Sequence, residues 1–205
     1  MRTLFVGDVH GCAASLRALV REARPDRLVL LGDLFNKGPD PRGVWDVVRE
    51  TGAESVLGNH DARMLQVWGQ PGESSQHVAC RALPDEARAW LASLPLFLHG
   101  EGWIAVHAGL HPFLGEAGTT PKMALTLRRW PDDEDPSSPF WWHLWRGPER
   151  VIYGHDAMRG LQVHRGSVGL DTGACYGNTL SGYLLEEDRV IEVPGATDRP
   201  RAAAR

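Results

Sequence analysis

Short apolar runs recur along the chain, and each ends at a residue able to ligate a metal. Leu4-Phe5-Val6 leads into Gly7-Asp8-Val9-His10-Gly11, and Leu28-Val29-Leu30-Leu31 into Gly32-Asp33. Ser55-Val56-Leu57 leads into Gly58-Asn59-His60-Asp61, Trp103-Ile104-Ala105-Val106 into His107, and Val151-Ile152-Tyr153 into Gly154-His155. Runs of this length followed by glycine and a polar residue read as buried strands that present side chains at their C-terminal ends. In open α/β sheets that edge is where sites form.

Helical spacing separates the first three runs. Leu16, Leu19 and Val20 predict a helix from Cys12 to Ala23 ahead of Pro25. Pro41 opens a second, whose apolar face is Val44, Trp45, Val47 and Val48, and a third runs from Ala62 to Trp68. This β-α-β-α-β-α order is that of a layered α/β sheet. Residues 70–76 are polar and Gly/Pro-rich and read as a loop; Pro84 to Leu94 reads as a helix, and strands follow at Leu96–Leu98 and Trp103–Val106.

Periodicity weakens over residues 111–149. A short helix is expected from Pro121 to Trp130, then an acidic loop, then the aromatic cluster Phe140, Trp141, Trp142 and Trp145. We read this stretch as a cap inserted within a single domain of residues 1–195. The runs Val151–Tyr153, Gln162–Val168, Thr179–Leu185 and Arg189–Val193 have no helices between them, which predicts a second, largely antiparallel sheet. Residues 196–205 read as a flexible tail.

The 205 residues suit one domain with a substantial core. A net charge of -4 argues against extended nucleic acid as a partner. No apolar run approaches the ~20 residues that span a bilayer. Three cysteines with no secretory signal suggest a cytoplasmic protein with reduced thiols, monomeric or weakly oligomeric.

Singly, Asp8 and Asp33 also suit turns or helix caps, and Gly-Asn-His-Asp suits a capped helix start. Jointly, two carboxylates, three histidines and an asparagine at strand ends form a mixed N/O donor set without thiolate. That set suits Mn, Fe or Zn and exceeds what one ion needs. Two ions about 3.5–4 Å apart, with one bridging carboxylate, is the economical arrangement.

The motifs Gly-Asp-Val-His-Gly (7–11), Gly-Asp-Leu-Phe-Asn-Lys-Gly-Pro (32–39), Gly-Asn-His-Asp (58–61), Val-His-Ala-Gly-Leu (106–110) and Tyr-Gly-His (153–155) resemble, in order and spacing, those of the calcineurin-like metallophosphoesterases. Leu170-Asp171-Thr172-Gly173 extends the likeness toward the phosphoprotein-phosphatase branch, and Lys-Gly-Pro toward symmetrical diadenosine-tetraphosphate hydrolases. The resemblance implies a four-layer α/β/β/α sandwich and a hydrolase that uses a metal-activated water, with no covalent intermediate. Asp8 and His10 would hold one ion, Asp33 would bridge, and Asn59, His107 and His155 would hold the second. The ions would be Mn, with Fe, Zn, Co or Ni as alternatives. His60 would be the general acid, Lys37 would bind phosphate, and Asn36 and Asp61 would support the ligands from behind.

Arg128 and Arg129 are candidates for a further phosphate clamp, with Arg146 a lesser one; a solvated helix face is the plain alternative. The tryptophans would stack on a base or form the cap's own core. Asp171 is expected to fix a turn and Cys175 to be packed. The substrate would be a nucleotide or another phosphorylated molecule. A Ser/Thr or Tyr protein phosphatase is the second reading, and a non-catalytic metal-binding interaction module a third.

One departure from the phosphatase pattern bears on substrate. Its second motif usually ends Asp-Arg-Gly, where this chain has Asn36-Lys37-Gly38. Asn36 brings no negative charge to His60, so it supports the protonated ring less. Lys37 replaces a bidentate fork with a point charge. A serine alkoxide needs a proton to leave; a nucleotide leaving from an anhydride scarcely does. The loop therefore predicts higher efficiency on dinucleoside polyphosphates than on phosphoserine peptides, and equal or better turnover of the peptides contradicts it.

Overall fold

The computed structural model describes residues 1–196 of the chain. The N-terminal half alternates β1 (Thr3–Val6), α1 (Ala13–Ala23), β2 (Arg27–Leu30), α2 (Pro41–Thr51), β3 (Glu54–Ser55) and α3 (Asn59–Val67). Two more helices, α4 (Ser75–Ala82) and α5 (Asp85–Ala92), precede β4 (Phe97–Gly100) and β5 (Trp103–Val106). The cap contains α6 (Pro121–Thr126) and α7 (Trp141–Leu144). The chain then forms β6 (Arg150–Tyr153), β7 (Gln162–His164), β8 (Ser167–Gly169), β9 (Thr179–Leu184) and β10 (Arg189–Pro194).

Two five-stranded sheets result, ordered β10-β9-β1-β2-β3 and β4-β5-β6-β8-β7. Period-2 alternation divides their side chains among three cores. Leu4, Val6, Leu28 and Leu30 face the helices, with Leu16, Leu19, Val44 and Val48 packed on them. Phe5, Val29 and Leu31 point the other way and meet Trp103, Ala105, Ile152 and Val168 of the second sheet. Ile104, Val106, Val151 and Tyr153 take the far face of that sheet and are covered by the cap. Each fully buried aliphatic or aromatic side chain here contributes about 1.5–3 kcal/mol. At the edge where the motifs emerge, the sheets come so close that a Cβ on Gly7 would lie 2.2 Å from the Leu170 carbonyl oxygen.

Four expectations are corrected. The second sheet is mixed rather than largely antiparallel: β5–β6 and β6–β8 are parallel, while the last hairpin, β9–β10, returns to the first sheet through the antiparallel pair β1–β9. The run 162–168 is a tight hairpin, not one strand. Residues 75–76, read as loop, open α4, and α3 begins at Asn59 rather than Ala62. The last change places Asn59 and His60 on a helix's first turn. Of the expected tail only Ala196 is described, its amide hydrogen-bonded to the Ala174 carbonyl; the rest lies outside the described residues.

The three tryptophans of the aromatic cluster, Trp141, Trp142 and Trp145, are buried, Trp141 completely, with its Nε1 donating to the Ala108 carbonyl. They are the cap's core, not a stacking surface. Truncation of Trp141 to alanine should therefore cost about 3–5 kcal/mol, read by denaturant unfolding. A variant of unchanged stability with weakened substrate binding would restore the stacking role.

Candidate metallophosphoesterase site

The six expected ligands converge although they come from five different strand ends. Asp8 and His10 follow β1, Asp33 follows β2, Asn59 opens α3, His107 follows β5 and His155 follows β6. Four of the six non-glycine residues with positive φ among those described are here: His10, Asp33, Lys37 and His155. Such backbone strain persists only where surrounding contacts over-determine it. Glycines of the motifs leave the room: a Cβ on Gly58 would meet Asp33 Oδ1 at 2.3 Å, and one on Gly154 would meet Asp8 Oδ1 at 2.1 Å.

Asp33 is central. Its Oδ2 lies 3.5 Å from His10 Nε2 and 4.0 Å from His60 Nε2, and its Oδ1 lies 3.6 Å from His107 Nε2. Donor atoms gather into two sets sharing this carboxylate, His10–Asp33–His60 and Asp8–Asp33–His107. His60 stands in the first set, and Asp8 and His107 flank Asp33 in the second. Asp61, completely buried, anchors the loop: it accepts from the amides of Asp33 (2.7 Å), Leu34 (3.0 Å) and Gly58 (3.2 Å).

The hydrogen-bond network assigns the histidine tautomers. His10 Nδ1 donates to Asn36 Oδ1 (3.0 Å), which leaves Nε2 bare, and Lys37 Nζ donates to that nitrogen at 3.0 Å. The amide nitrogen of the same Asn36 donates to His60 Nδ1 (2.9 Å), as does Gln76 Nε2 (3.1 Å). His60 therefore carries its proton on Nε2, facing the site. His107 Nδ1 donates to the Leu31 carbonyl (2.7 Å), so its Nε2 is a lone pair 2.9 Å from Asn59 Oδ1 and 3.6 Å from Asp33 Oδ1. His155 Nε2 is buried without a partner. The His107 Nε2 lone pair, Asn59 Oδ1 and the Asp33 carboxylate thus converge as acceptors, an arrangement that fits a cation.

Burial shapes the protonation of the whole cluster. It raises Asp33 to about 7 and Asp8 well above the ordinary carboxyl value, Asp8 further by the charges of Asp171 and Asp33. Asp61 also rises to about 7 through burial, with its backbone donors pulling the other way. Burial lowers His10, His107 and His155, and takes His60 to about 4, with Lys37 adding to that fall.

Asp8, His10, Asp33, Lys37, Asn59, His60 and His155 line a cavity of about 470 Å³, and Arg128, Arg129, Phe140, Asp156, Met158, Arg159 and Tyr176 line it too. Arg128 leans on Asp156, Nε to Oδ1 3.7 Å. Arg129 is committed to the cap, donating to the Ser138 carbonyl with its guanidinium over Phe140. Arg146 lies elsewhere, bonded to the His143 and Trp145 carbonyls. Asp171 fixes its turn by accepting from the Gly173 amide, as expected, and also reaches the cavity. Asp156, Arg159, Tyr176 and Gln76 escaped the sequence reading. Only Asp156 and Tyr176 left a trace, each adjoining a motif.

The calcineurin-like phosphoesterase profile matches residues 1–189. The chain belongs to the calcineurin-like phosphoesterase family. As a member it is a metal-dependent hydrolase of phosphoester or phosphoanhydride bonds. Among its relatives, a protein of Aromatoleum aromaticum named "Bis(5'-nucleosyl)-tetraphosphatase, symmetrical" is 29% identical over 264 aligned positions, covering 94% of this chain and 97% of the relative. One of the same name from Methylococcus capsulatus is 40% identical over 124 positions, 55% of this chain and 44% of the relative. A solved structure described as "a putative diadenosine tetraphosphatase" superposes with a TM-score of 0.87 at 35% identity, covering 96% of this chain and 94% of that one. A metallophosphoesterase of Sphaerobacter thermophilus, 19% identical with a TM-score of 0.63, shares the fold. Among the described residues no helix is long and apolar enough to cross a membrane.

Metal uptake by this family site should be proton-coupled. A metal needs ionised carboxylates and bare imidazole nitrogens. With Asp33 near 7, most of its carboxyl is protonated at pH 6 and almost none at pH 8.5. Calorimetric titration with Mn²⁺ in buffers of different ionisation enthalpy should show protons released at pH 6 and few at pH 8.5. The same shift bears on stability: a carboxyl raised from 3.8 to about 7 favours the fold at low pH and loses that contribution as pH rises through 7. The metal-free protein therefore gains most from Mn²⁺ at neutral and alkaline pH. Uptake without proton release at pH 6 contradicts this.

Proposed function

We propose that the chain hydrolyses phosphoanhydrides of dinucleoside polyphosphates, diadenosine tetraphosphate first, at two divalent ions sharing Asp33. Asp8, His10, Asn59, His107 and His155 complete the ligand sets, and Mn is the first choice of metal. Bound divalent ions supply Lewis acidity toward phosphoryl oxygens and lower the pKa of a water. The chain's own residues do the rest. Lys37, its ammonium on His10 Nε2 at 3.0 Å, lies where an incoming phosphate oxygen would take it over. His60 offers Nε2–H as a hydrogen-bond donor to the transferred group.

The observation that carries the substrate class is the Asn36 contact. Two amide donors, from Asn36 and Gln76, point at His60 Nδ1. A second proton there would face donors rather than an acceptor, and burial already holds the ring near 4. His60 is thus disfavoured as an imidazolium at neutral pH, and the reaction it suits has a leaving group that needs no proton. The names borne by the relatives support the same class.

The 264 aligned positions exceed the chain's 205 residues, so the Aromatoleum relative carries insertions absent here. With less chain to enclose the nucleosides, recognition rests on the phosphates. The exposed ring of Tyr176, 5.6 Å from Lys37 Nζ, offers an aromatic surface at the cavity in addition to Phe140.

Two outcomes follow in steady-state kinetics with Mn²⁺. His60→Asn should cost diadenosine tetraphosphate less than about tenfold in kcat; a loss of about 10²–10⁴-fold, the range of general-acid catalysis, would show that His60 gives a proton to the leaving group. Diadenosine and diguanosine tetraphosphates should be hydrolysed with similar kcat/KM, the former giving ADP as product. A phosphopeptide as the better substrate, with its turnover abolished in His60→Asn, would make this a protein phosphatase.

A further inference from the structure

The cavity that holds the metal-ligand sets is also lined by a carboxylate that the reaction above does not use. Asp156 is buried, with a side chain only 9% exposed. Its Oδ1 lies 3.7 Å from Arg128 Nε, and its Oδ2 is buried with no hydrogen-bond partner. A bare carboxylate oxygen beside a phosphate-binding cavity repels substrate unless a cation stands between them. Two arginines besides Arg128 surround it. Arg129 is spent on the Ser138 carbonyl and the Phe140 face. Arg159 is not: its guanidinium lies 5.2 Å from the Phe140 ring centre and, among the described residues, makes no hydrogen bond or ion pair. Its amide donates to the Asp156 carbonyl at 2.9 Å, so both residues belong to the one turn that follows His155.

We infer that Arg128 and Arg159 form a subsite for the phosphates beyond the scissile bond, and that Asp156 is the positioning residue that holds Arg128 toward it. This deepens the dinucleotide reading of the same site and rests on it. The argument is one of charge. A single phosphoryl group is matched by two divalent ions and Lys37. In a chain of net charge -4, three arginines gather at this cavity, and with Arg129 committed to the cap, Arg128 and Arg159 are left to serve an anion longer than one phosphate. Phe140 gives two of them a flat face, which holds a guanidinium without using its donors. The donors of Arg159 thus stay available to phosphate oxygens, for which the planar fork is suited.

The test compares diadenosine tetraphosphate with p-nitrophenyl phosphate, which has nothing beyond the scissile bond to fill the subsite. Arg159→Ala should raise KM for the tetraphosphate at least tenfold more than it raises KM for p-nitrophenyl phosphate, and Arg159→Lys should recover part of that loss. Asp156→Asn should reproduce the selective loss of Arg128→Ala. The double variant should be little worse than either single one, because both act through the same guanidinium. Arg165→Ala, at the β7–β8 turn far from the cavity, serves as the control for charge loss alone. Equal losses on both substrates in Arg159→Ala, or additive losses in the double variant, overturn the assignment. Inhibition of p-nitrophenyl phosphate hydrolysis by ADP reads the subsite independently. If wild type leaves the tetraphosphate intact, the dinucleotide reading fails, yet a tenfold weaker ADP inhibition constant in Arg159→Ala still upholds the subsite. An unchanged constant refutes it.

Discussion

Asp33 has one oxygen toward His10 and His60 and the other toward His107, and most of the local structure exists to hold it so. It sits at positive φ immediately after β2, where an L side chain is strained. The strain is sustained from both sides: the Asp33 amide donates to Asp61, and its Oδ1 accepts from the His60 amide at 2.9 Å. Gly58 lacks a side chain because Asp33 occupies that space. The parallel pairing of β1, β2 and β3 brings Asp8, Asp33 and Asn59 to one edge, and the close approach of the second sheet at Gly7 brings His107 and His155 to meet them.

A site assembled this way is electrostatically unfinished without its ions. Two buried carboxylates of this cluster, Asp33 and Asp61, resist ionisation until about pH 7, while the histidines resist protonation. Within this set of neutral acids and bare nitrogens the Lys37 ammonium is hydrogen-bonded to His10 Nε2. Divalent cations reverse that balance, since they favour ionised carboxylates and neutral imidazoles together. Loading, proton release and stability are therefore linked, and Asn36 ties the two halves of the chemistry through a single amide. Its oxygen accepts from His10 Nδ1 and so leaves Nε2 bare, and its nitrogen occupies His60 Nδ1 and so disfavours a second proton on that ring.

The motif edge was legible in the sequence because each ligand directly follows a short apolar run, and side-chain alternation within those runs gives the sheet faces. What was not legible depends on distant pairing or on geometry without spacing. The return of Thr179–Leu184 to β1 is set by partners some 180 positions apart, which no local pattern reports. α4 was hidden because its first turn follows Pro71, Gly72 and two serines with little apolar periodicity. The cap tryptophans carry the same composition whether buried or stacked, and only packing decides. Arg159 and Asp156 lie in a turn whose meaning comes from the cavity it lines, and neither residue type announces that in sequence.

The central claim is that Asp33 is shared by two ions. Electron paramagnetic resonance of the Mn²⁺-loaded protein tests it directly. At saturation the account predicts two ions per chain with the closely spaced hyperfine lines of an exchange-coupled pair, a pattern lost in Asp33→Asn. One ion per chain with an uncoupled six-line spectrum, unaffected by that substitution, would contradict it.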